Sequence, residues 1–344
     1  MKRTIFILFI IATTLMSCKD SGILLPNAIG SAFDVLVVID QKDWKAEGGK
    51  ALYDVLNEPM PAMPQSESMF KISKVQHHDF DQMLRPARNI VVVTVDSQLY
   101  TKASMKLIKN KWAKNQMIAA ISAPNSKSLA NFIIGKKRTL QQAFISSERA
   151  NQMAYYKANS NQTAMEMAYK KFGIRITLPT SMNKYNETDN FLWISNGSVE
   201  AREDIIIYSY PYTNKEMFTA KALLAKRDSV LKANLPGSVE NSFMGTEYDV
   251  QPPIMEEIWV NKAYCAEIHG LWKMKNGEVM GGPFVSHSRL DELNNRIITI
   301  EGFVFAPGRE KRSYIRQMEA MVYSVKMPQE INEITVTAKS TAKK

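Results

Sequence analysis

The fold turns on Ala263–Ser288 (AYCAEIHGLWKMKNGEVMGGPFVSHS) and on Arg296–Ala306 (RIITIEGFVFA) just beyond it. Both stretches are rich in β-branched and aromatic residues over strand lengths, broken only by turn-forming residues. Asn276-Gly277 divides the first stretch at about residue 276, and both residues tolerate the positive φ that a two-residue hairpin turn demands. The predicted strands are Ala263 to Lys273, Glu278 to Ser288 and Arg296 to Ala306, with Glu256 to Val260 before them. A turn centred on Asn276-Gly277 sets His269 opposite the region of Phe284 and Val285, with His287 one pleat further along.

Working outward, Gly173 to Leu178, Phe191 to Ser195 and Asp204 to Tyr210 read as earlier strands. Between them and the hairpin, Thr213-Asn214-Lys215-Glu216 has the form of a capping box. The helix it predicts places Phe218, Leu223, Leu224, Val230, Leu231 and Leu235 near one face and stops at Pro236-Gly237. A last helix, Arg309 to Val325, turns Tyr314, Ile315, Met318, Met321 and Val322 inward. Residues 161–327 therefore read as an antiparallel sheet backed by helices.

The first half alternates differently. Phe33 to Asp40 and Asn89 to Val95 are apolar runs suited to strands buried on both faces. Met69 to Val75 and Met117 to Ser122 complete a set of strands separated by predicted helices. Those helices are Trp44 to Leu56, a lysine-rich one from Ala103 to Lys114, and a long one capped by Ser126 that runs toward Tyr156. Asn161 to Phe172 is a further helix, with Gly173 suited to its C-cap. Residues 33–160 thus form an N-terminal α/β layer, the boundary falls near residue 160, and the chain as a whole is α+β.

At 344 residues and 45% hydrophobic content, the chain can bury one large core or two ordinary ones. Met1-Lys2-Arg3 followed by the apolar Ile5 to Ile11 has the form of a secretory signal. It closes on Leu15-Met16-Ser17-Cys18, which resembles a bacterial lipobox, so Cys18 is the residue expected to be lipidated. Residues 1–18 are then the signal ending at that cysteine, 19–32 a tether, and 328–344 a disordered Lys/Thr-rich tail. These expectations place the chain in the cell envelope, on the outer membrane facing the periplasm, with the lipid as its link to the membrane.

Only two cysteines occur, and lipidation of Cys18 leaves Cys265 without an intramolecular partner, as a buried inert thiol. The net charge of +10 is spread over runs such as Lys102 to Lys114, Lys136-Lys137-Arg138 and Arg309 to Arg316. Such runs are solvated faces, or attract anionic partners such as lipid headgroups or cell-wall polymers. Nucleic acid is not an expected partner of an exported, tethered chain.

Motifs for common chemistries are missing. There is no Gly-rich phosphate loop, nucleophile elbow or zinc-binding His-Glu-x-x-His helix, and no cofactor or metal is called for. The Ser-x-x-Lys patterns lack their companion Lys-Thr-Gly. His77-His78-Asp79 with Asp81 has metal-ligand residue types, but adjacent strand residues point to opposite faces, so a polar loop is the expectation. Glycines and proline inside a strand suggest a bulge or a close ligand approach. The candidate site is accordingly a ligand groove at His269, Trp272, Gly281, Gly282, Pro283, Phe284 and His287. The competing expectation is a bulged strand under the last helix with Trp272 in the core. A hydrolase would use His269 or His287 with an acid such as Glu267 or Glu301.

The blocks His269-Gly270-Leu271-Trp272, Met280-Gly281-Gly282-Pro283-Phe284 and Gly302 to Gly308 resemble a family of uncharacterised Bacteroidetes lipoproteins, domain of unknown function 4837. The resemblance extends over nearly the whole body, from about Phe33 to Val325, although His269 stands where that family has Arg. It implies an envelope address and no activity. The second half also resembles, loosely, the sheet-and-helix domains of the PsbP and Mog1 type, which are mostly non-enzymatic binding modules. The preferred expectation is a non-catalytic binding or assembly module whose partner is an envelope protein or a cell-wall glycan.

Overall fold

Two sheets carry the chain, one mostly parallel and one antiparallel. The computed structural model describes residues 25–332. Cys18, the expected signal and residues 333–344 of the expected tail lie outside the described residues.

The first sheet has five strands: β1 (Asp34–Val38), β2 (Lys71–Val75), β3 (Asn89–Val95), β4 (Ser104–Lys109) and β5 (Met117–Ala123). They lie in the order β2-β1-β3-β5-β4, parallel except for β4. On one face, Val35, Val37, Val91, Val93, Ala119 and Ile121 pack against α1 (Gln41–Lys45), α2 (Glu47–Leu56), α3 (Ser126–Gly135) and α4 (Lys137–Ala158) as one apolar core. Val38, Ile90 and Ile118 form a smaller cluster on the other face, covered by Phe80 and Trp112.

Two expectations fail here. The lysine-rich segment is not a helix but the edge strand β4, paired with β5 from Ser104↔Ser122 to Lys109↔Met117. Its Met105 and Ile108, three apart, fit a helical stripe, but they pack on opposite faces of a strand. Its exposed lysines suit an unpaired sheet edge. The long helix is two: Asn125 rather than Ser126 caps α3, its Oδ1 accepting from Ser128 N at 2.9 Å, and the chain breaks at Lys136 before α4. Ser126 Oγ instead accepts from Gly48 N (2.8 Å), joining α3 to α2.

After α5 (Gln162–Phe172), closed by Gly173 at φ 71, residues 174–178 run extended but make only a bridge at Arg175↔Lys326 rather than the expected strand. The second sheet follows: β6 (Lys184–Thr188), β7 (Phe191–Ser195), β8 (Arg202–Pro211), α6 (Ala220–Asn234), β9 (Phe243–Glu247), β10 (Ile254–Val260), β11 (Ala263–Lys275), β12 (Gly281–Asp291), β13 (Arg296–Phe305) and α7 (Arg312–Tyr323). Its order is β10-β11-β12-β13-β8-β7-β6, with β9 pairing the far end of β11. All pairs are antiparallel, so the α+β class holds. Helices α5 and α7 cover one face, where Leu192, Ile205, Val285, Ile300, Met318 and Val322 meet. Helix α6 covers the other, over Ile206, Ala266, Trp272, Phe284 and Phe303.

The expected capping box is displaced: Asn214 caps a short 3-10 turn and Thr219 caps α6, accepting from Ala222 N (3.3 Å). The tether of 19–32 is shorter than expected, because Lys114 N already donates to Pro26 O (2.7 Å) and Ala28 N to Lys114 O (3.0 Å). At the other end, 328–332 is a helical turn with Ile331 buried rather than part of a tail. The two sheets are tied together through α7. Glu67, from the first half, accepts from the backbone N–H of Lys311 and Arg312 at 2.7 Å each, satisfying donors at the start of α7.

Candidate functional site

Strand parity builds the site. Glu267 and His269 are two apart on β11 and point to the same face, and His287 on β12 lies directly opposite Glu267. The three side chains therefore converge beneath α7. Glu267 accepts from both imidazoles, from His287 Nε2 at 2.7 Å and from His269 Nε2 at 3.2 Å. The ring of Tyr323, on α7, stands edge to face with His287 at 4.5 Å between centroids. Arg316 and Glu319, also on α7, pair at 2.8 Å. From the first half, α4 brings the Arg149 guanidinium to 3.3 Å from the Tyr323 ring centroid.

These elements wall a cleft of about 270 Å³ between the two halves. Its lining is highly charged, including Lys137, Arg138, Arg149 and Arg316 with Glu58, Glu256, Glu267 and Glu319. Lys137 is held by Glu58 (2.6 Å), which also accepts from Gln141 (2.6 Å).

The electrostatics follow from burial and pairing. Burial pushes the Glu267 carboxyl up, but the hydrogen bonds and charge of His269 and His287 outweigh it and hold the group well below the usual carboxylate range. Burial favours neutral His269, yet the Glu267 hydrogen bond and charge raise its pKa. For His287, 1% exposed, burial wins and the pKa falls. Burial, with the adjacent Glu267 charge, pushes Tyr323 well up. The Glu267 carboxylate thus lies between His269, whose protonated form is favoured and which lines the cleft, and His287, whose neutral form is favoured behind it. His269 lines the cleft with its Nε2 engaged by Glu267.

The predicted groove is not formed. His269 and His287 do share a face, but Trp272 and Phe284 lie on the opposite one, in the core under α6. His269 and Trp272 are three positions apart, as are Phe284 and His287, so strand alternation turns each pair to opposite faces. Trp272 is 2% exposed and its Nε1 donates to Val304 O (3.1 Å). No bulge occurs at Gly281-Gly282-Pro283 either, since pairing with β11 runs unbroken from Lys273↔Gly281 to Ala266↔Ser288. Gly282 is required for close packing: a Cβ there would lie 2.0 Å from Val304 O. Gly282→Ala is expected to cost about 1–3 kcal/mol, as other overpacked sites do, measurable by urea unfolding.

Glu301 is also elsewhere, ion-paired with Arg227 under α6. His77 donates to Val93 O (2.7 Å) and His78 lies beside Asp79 (3.2 Å). Among the described residues, no group of three or more His, Cys, Asp or Glu side chains is placed to hold a metal. Cys265 is buried, which drives its thiol pKa strongly up. Arg149, Arg316, Glu319 and Tyr323 were not legible as site residues. The one available signal was the alternation Glu267-x-His269 in a strand facing His287.

Residues 160–324 match the family described as domain of unknown function (DUF4837), and residues 28–157 match a second, domain of unknown function (DUF8532). The family to which the Gly-Gly-Pro-Phe block pointed is thus present over the second half, while the first half matches a different family. Neither description carries an activity. No curated protein matches the chain. Among solved structures, the Ran-binding protein Mog1p of Saccharomyces cerevisiae is similar over 45% of this chain and 90% of its own, at 11% identity and a TM-score of 0.28.

Proposed function

We propose that the chain is a bacterial envelope lipoprotein, lipidated on Cys18 and held on the outer membrane facing the periplasm, whose body is a non-catalytic binding module. Its ligand site is the cleft between α4, β10–β11 and α7, and its ligand is a charged polar part of another envelope component, protein or cell-wall glycan. One observation carries this reading: cations and carboxylates from both halves converge on one cleft, around a His269 paired with Glu267 at 3.2 Å. At about 270 Å³ the cleft suits a single sugar-acid or amino-acid unit rather than an extended polymer.

The test is cross-linking in intact cells of the native host, purification, and identification of what accompanies the protein. The expected result is a reproducible envelope partner, reduced at least tenfold by His269→Ala and by Arg138→Ala. Recovery of the protein alone, or of the same partner from both variants, would refute the binding site. Metabolic labelling with palmitate, expected to vanish in Cys18→Ala, checks the anchor separately.

A second reading, an envelope hydrolase, draws on the same cluster, because a carboxylate-oriented imidazole at a cleft wall is a general acid–base arrangement. The residues lining the cleft include no serine, threonine or cysteine, so such an enzyme would work through a carboxylate nucleophile or a carboxylate-activated water, from Glu256, Glu267 or Glu319. Turnover of a cell-wall substrate that is lost in both Glu267→Gln and His269→Ala would favour this second reading.

A further inference from the structure

We propose that the end of the first sheet where β4 turns into β5 is a membrane-facing surface, whose lysines and Trp112 rest on anionic phospholipid headgroups. The inference builds on the Cys18 anchor proposed above, and begins with where the chain leaves the body. Lys114 N donates to Pro26 O (2.7 Å), Ala28 N to Lys114 O (3.0 Å), and Ile29 N to Pro86 O (2.9 Å). The segment that precedes the body therefore departs beside Lys114 and the 85–88 segment.

Cys18 lies eight residues before Pro26. Whatever path those residues take, a chain spans at most about 3.5 Å per residue, so the anchored cysteine stays within about 28 Å of this end. A body of this length is roughly 50 Å across by the usual scaling of compact chains. The tether is too short to let the opposite end face the bilayer, and it keeps this end within about 28 Å of the membrane.

What the tether brings down is suited to headgroups. Arg85, Lys106, Lys109, Lys111 and Lys114 are all exposed, and none takes part in an ion pair among the described residues. The carboxylates of the segment covering this face are Asp79 and Asp81. Asp79 pairs with His78, and Asp81 caps the backbone N–H of Met83 and Leu84. Trp112 is half-buried, with Lys111 Nζ 4.6 Å and the Arg85 guanidinium 6.0 Å from its ring. An indole flanked by cations, with exposed Ile29 and Met83 near the exit segment, is the residue mixture found at membrane–water interfaces. Each lysine held near an anionic surface strengthens association roughly fivefold, and the effect is screened by salt.

The experiment uses the lipidated protein purified from host membranes, placed in detergent, in neutral phosphatidylcholine vesicles, or in vesicles with about one third phosphatidylglycerol. A water-soluble acylating reagent then footprints the lysines. The expected result is at least fivefold protection of Lys106, Lys109, Lys111 and Lys114 in anionic vesicles only, relieved by 0.5 M salt (roughly a 4 Å screening length). A variant with all four changed (Lys106→Glu, Lys109→Glu, Lys111→Glu, Lys114→Glu) keeps its circular dichroism, and its exposed Arg85, footprinted with an arginine-specific reagent, is no longer protected in anionic vesicles. Equal labelling in the three settings overturns the surface while leaving the anchor standing. Protection by soluble polyphosphate but not by anionic vesicles overturns it in favour of an anionic polymer. If the protein does not float with the neutral vesicles, the anchor reading has failed. Binding of that unanchored protein to anionic vesicles through the same lysines would still support the surface, and no binding would overturn it.

Discussion

Glu301→Ala is expected to destabilise the protein by about 3–5 kcal/mol, the usual penalty for stripping one partner from a buried ion pair. Glu301 is 0% and Arg227 2% exposed. They pair through two bonds, Arg227 Nε to Glu301 Oε2 at 2.7 Å and Nη2 to Oε1 at 2.6 Å, a fork-to-fork geometry. Arg227 Nη1 continues to Thr246 Oγ1 (2.7 Å), which donates to Asp228 (2.6 Å), and the guanidinium lies 3.7 Å from the Phe284 ring centroid. Without Glu301 the guanidinium remains charged, because arginine does not deprotonate in proteins, and remains buried beneath α6. For a chain of this size each kcal/mol corresponds to about 2 °C, so thermal unfolding should fall by roughly 6–10 °C. Arg227→Met combined with Glu301→Leu removes both charges and should recover most of that loss. A fall of under about 2 °C in Glu301→Ala would mean that water reaches the pair and that α6 is not seated as described.

This pair also shows where sequence patterns suffice and where they do not. The strands of the second sheet were legible because runs such as Arg296 to Phe305 are apolar on both faces, and the helices over each face bury them. The register was legible to within one residue: His269, expected opposite the region of Phe284 and Val285, meets Val285, because the connection is longer than two residues and only Asn276 takes a positive φ (55°). A slip of one residue moves a side chain to the other face, and it was enough to carry Phe284 out of the expected groove. Strand β6 was invisible because all five of its residues are exposed, leaving no alternation to detect. The candidate site was half legible. Glu267, His269 and His287 lie on two neighbouring strands, whereas Arg149, Arg316 and Tyr323 arrive on helices whose docking no local pattern encodes.

The second large effect belongs to Glu267. Glu267→Gln is expected to lower stability by about 3 kcal/mol near pH 5.5, because it takes the carboxylate from between the buried His287 and the partly exposed His269. The signs fix how this loss varies with pH. The Glu267 carboxyl is depressed in the folded state, so its contribution is present above the unfolded value, near 4.5, and is lost as pH falls through the lower folded value. His269 is raised, so its contribution is complete below the unfolded value, near 6.5, and is lost as pH rises through the higher folded value. His287 is depressed by burial: below about pH 6.5 the unfolded chain binds a proton that the folded one refuses, which costs stability as pH falls. In Glu267→Gln that cost grows, since the carboxylate no longer attracts the proton.

The difference between the native protein and Glu267→Gln should therefore be greatest between about pH 4.5 and 6.5 and shrink by pH 8.5. Urea unfolding of both proteins at pH 5.5 and 8.5 measures it, with the imidazole titration of His269 followed by NMR as a direct check. In Glu267→Gln the His269 pKa should drop below the ordinary histidine value, because burial, the largest influence on it, is then opposed only by the smaller effect of the Glu319 charge. A pH-independent difference, or an unmoved His269, would show that Glu267 is a neutral spacer. The proposed cleft would then lose the charge at its wall, and with it the reason for a charged ligand. If His269 does move, ligand capture by the cleft should weaken above the same folded His269 value, because the group that loses its proton there is the one that faces the ligand.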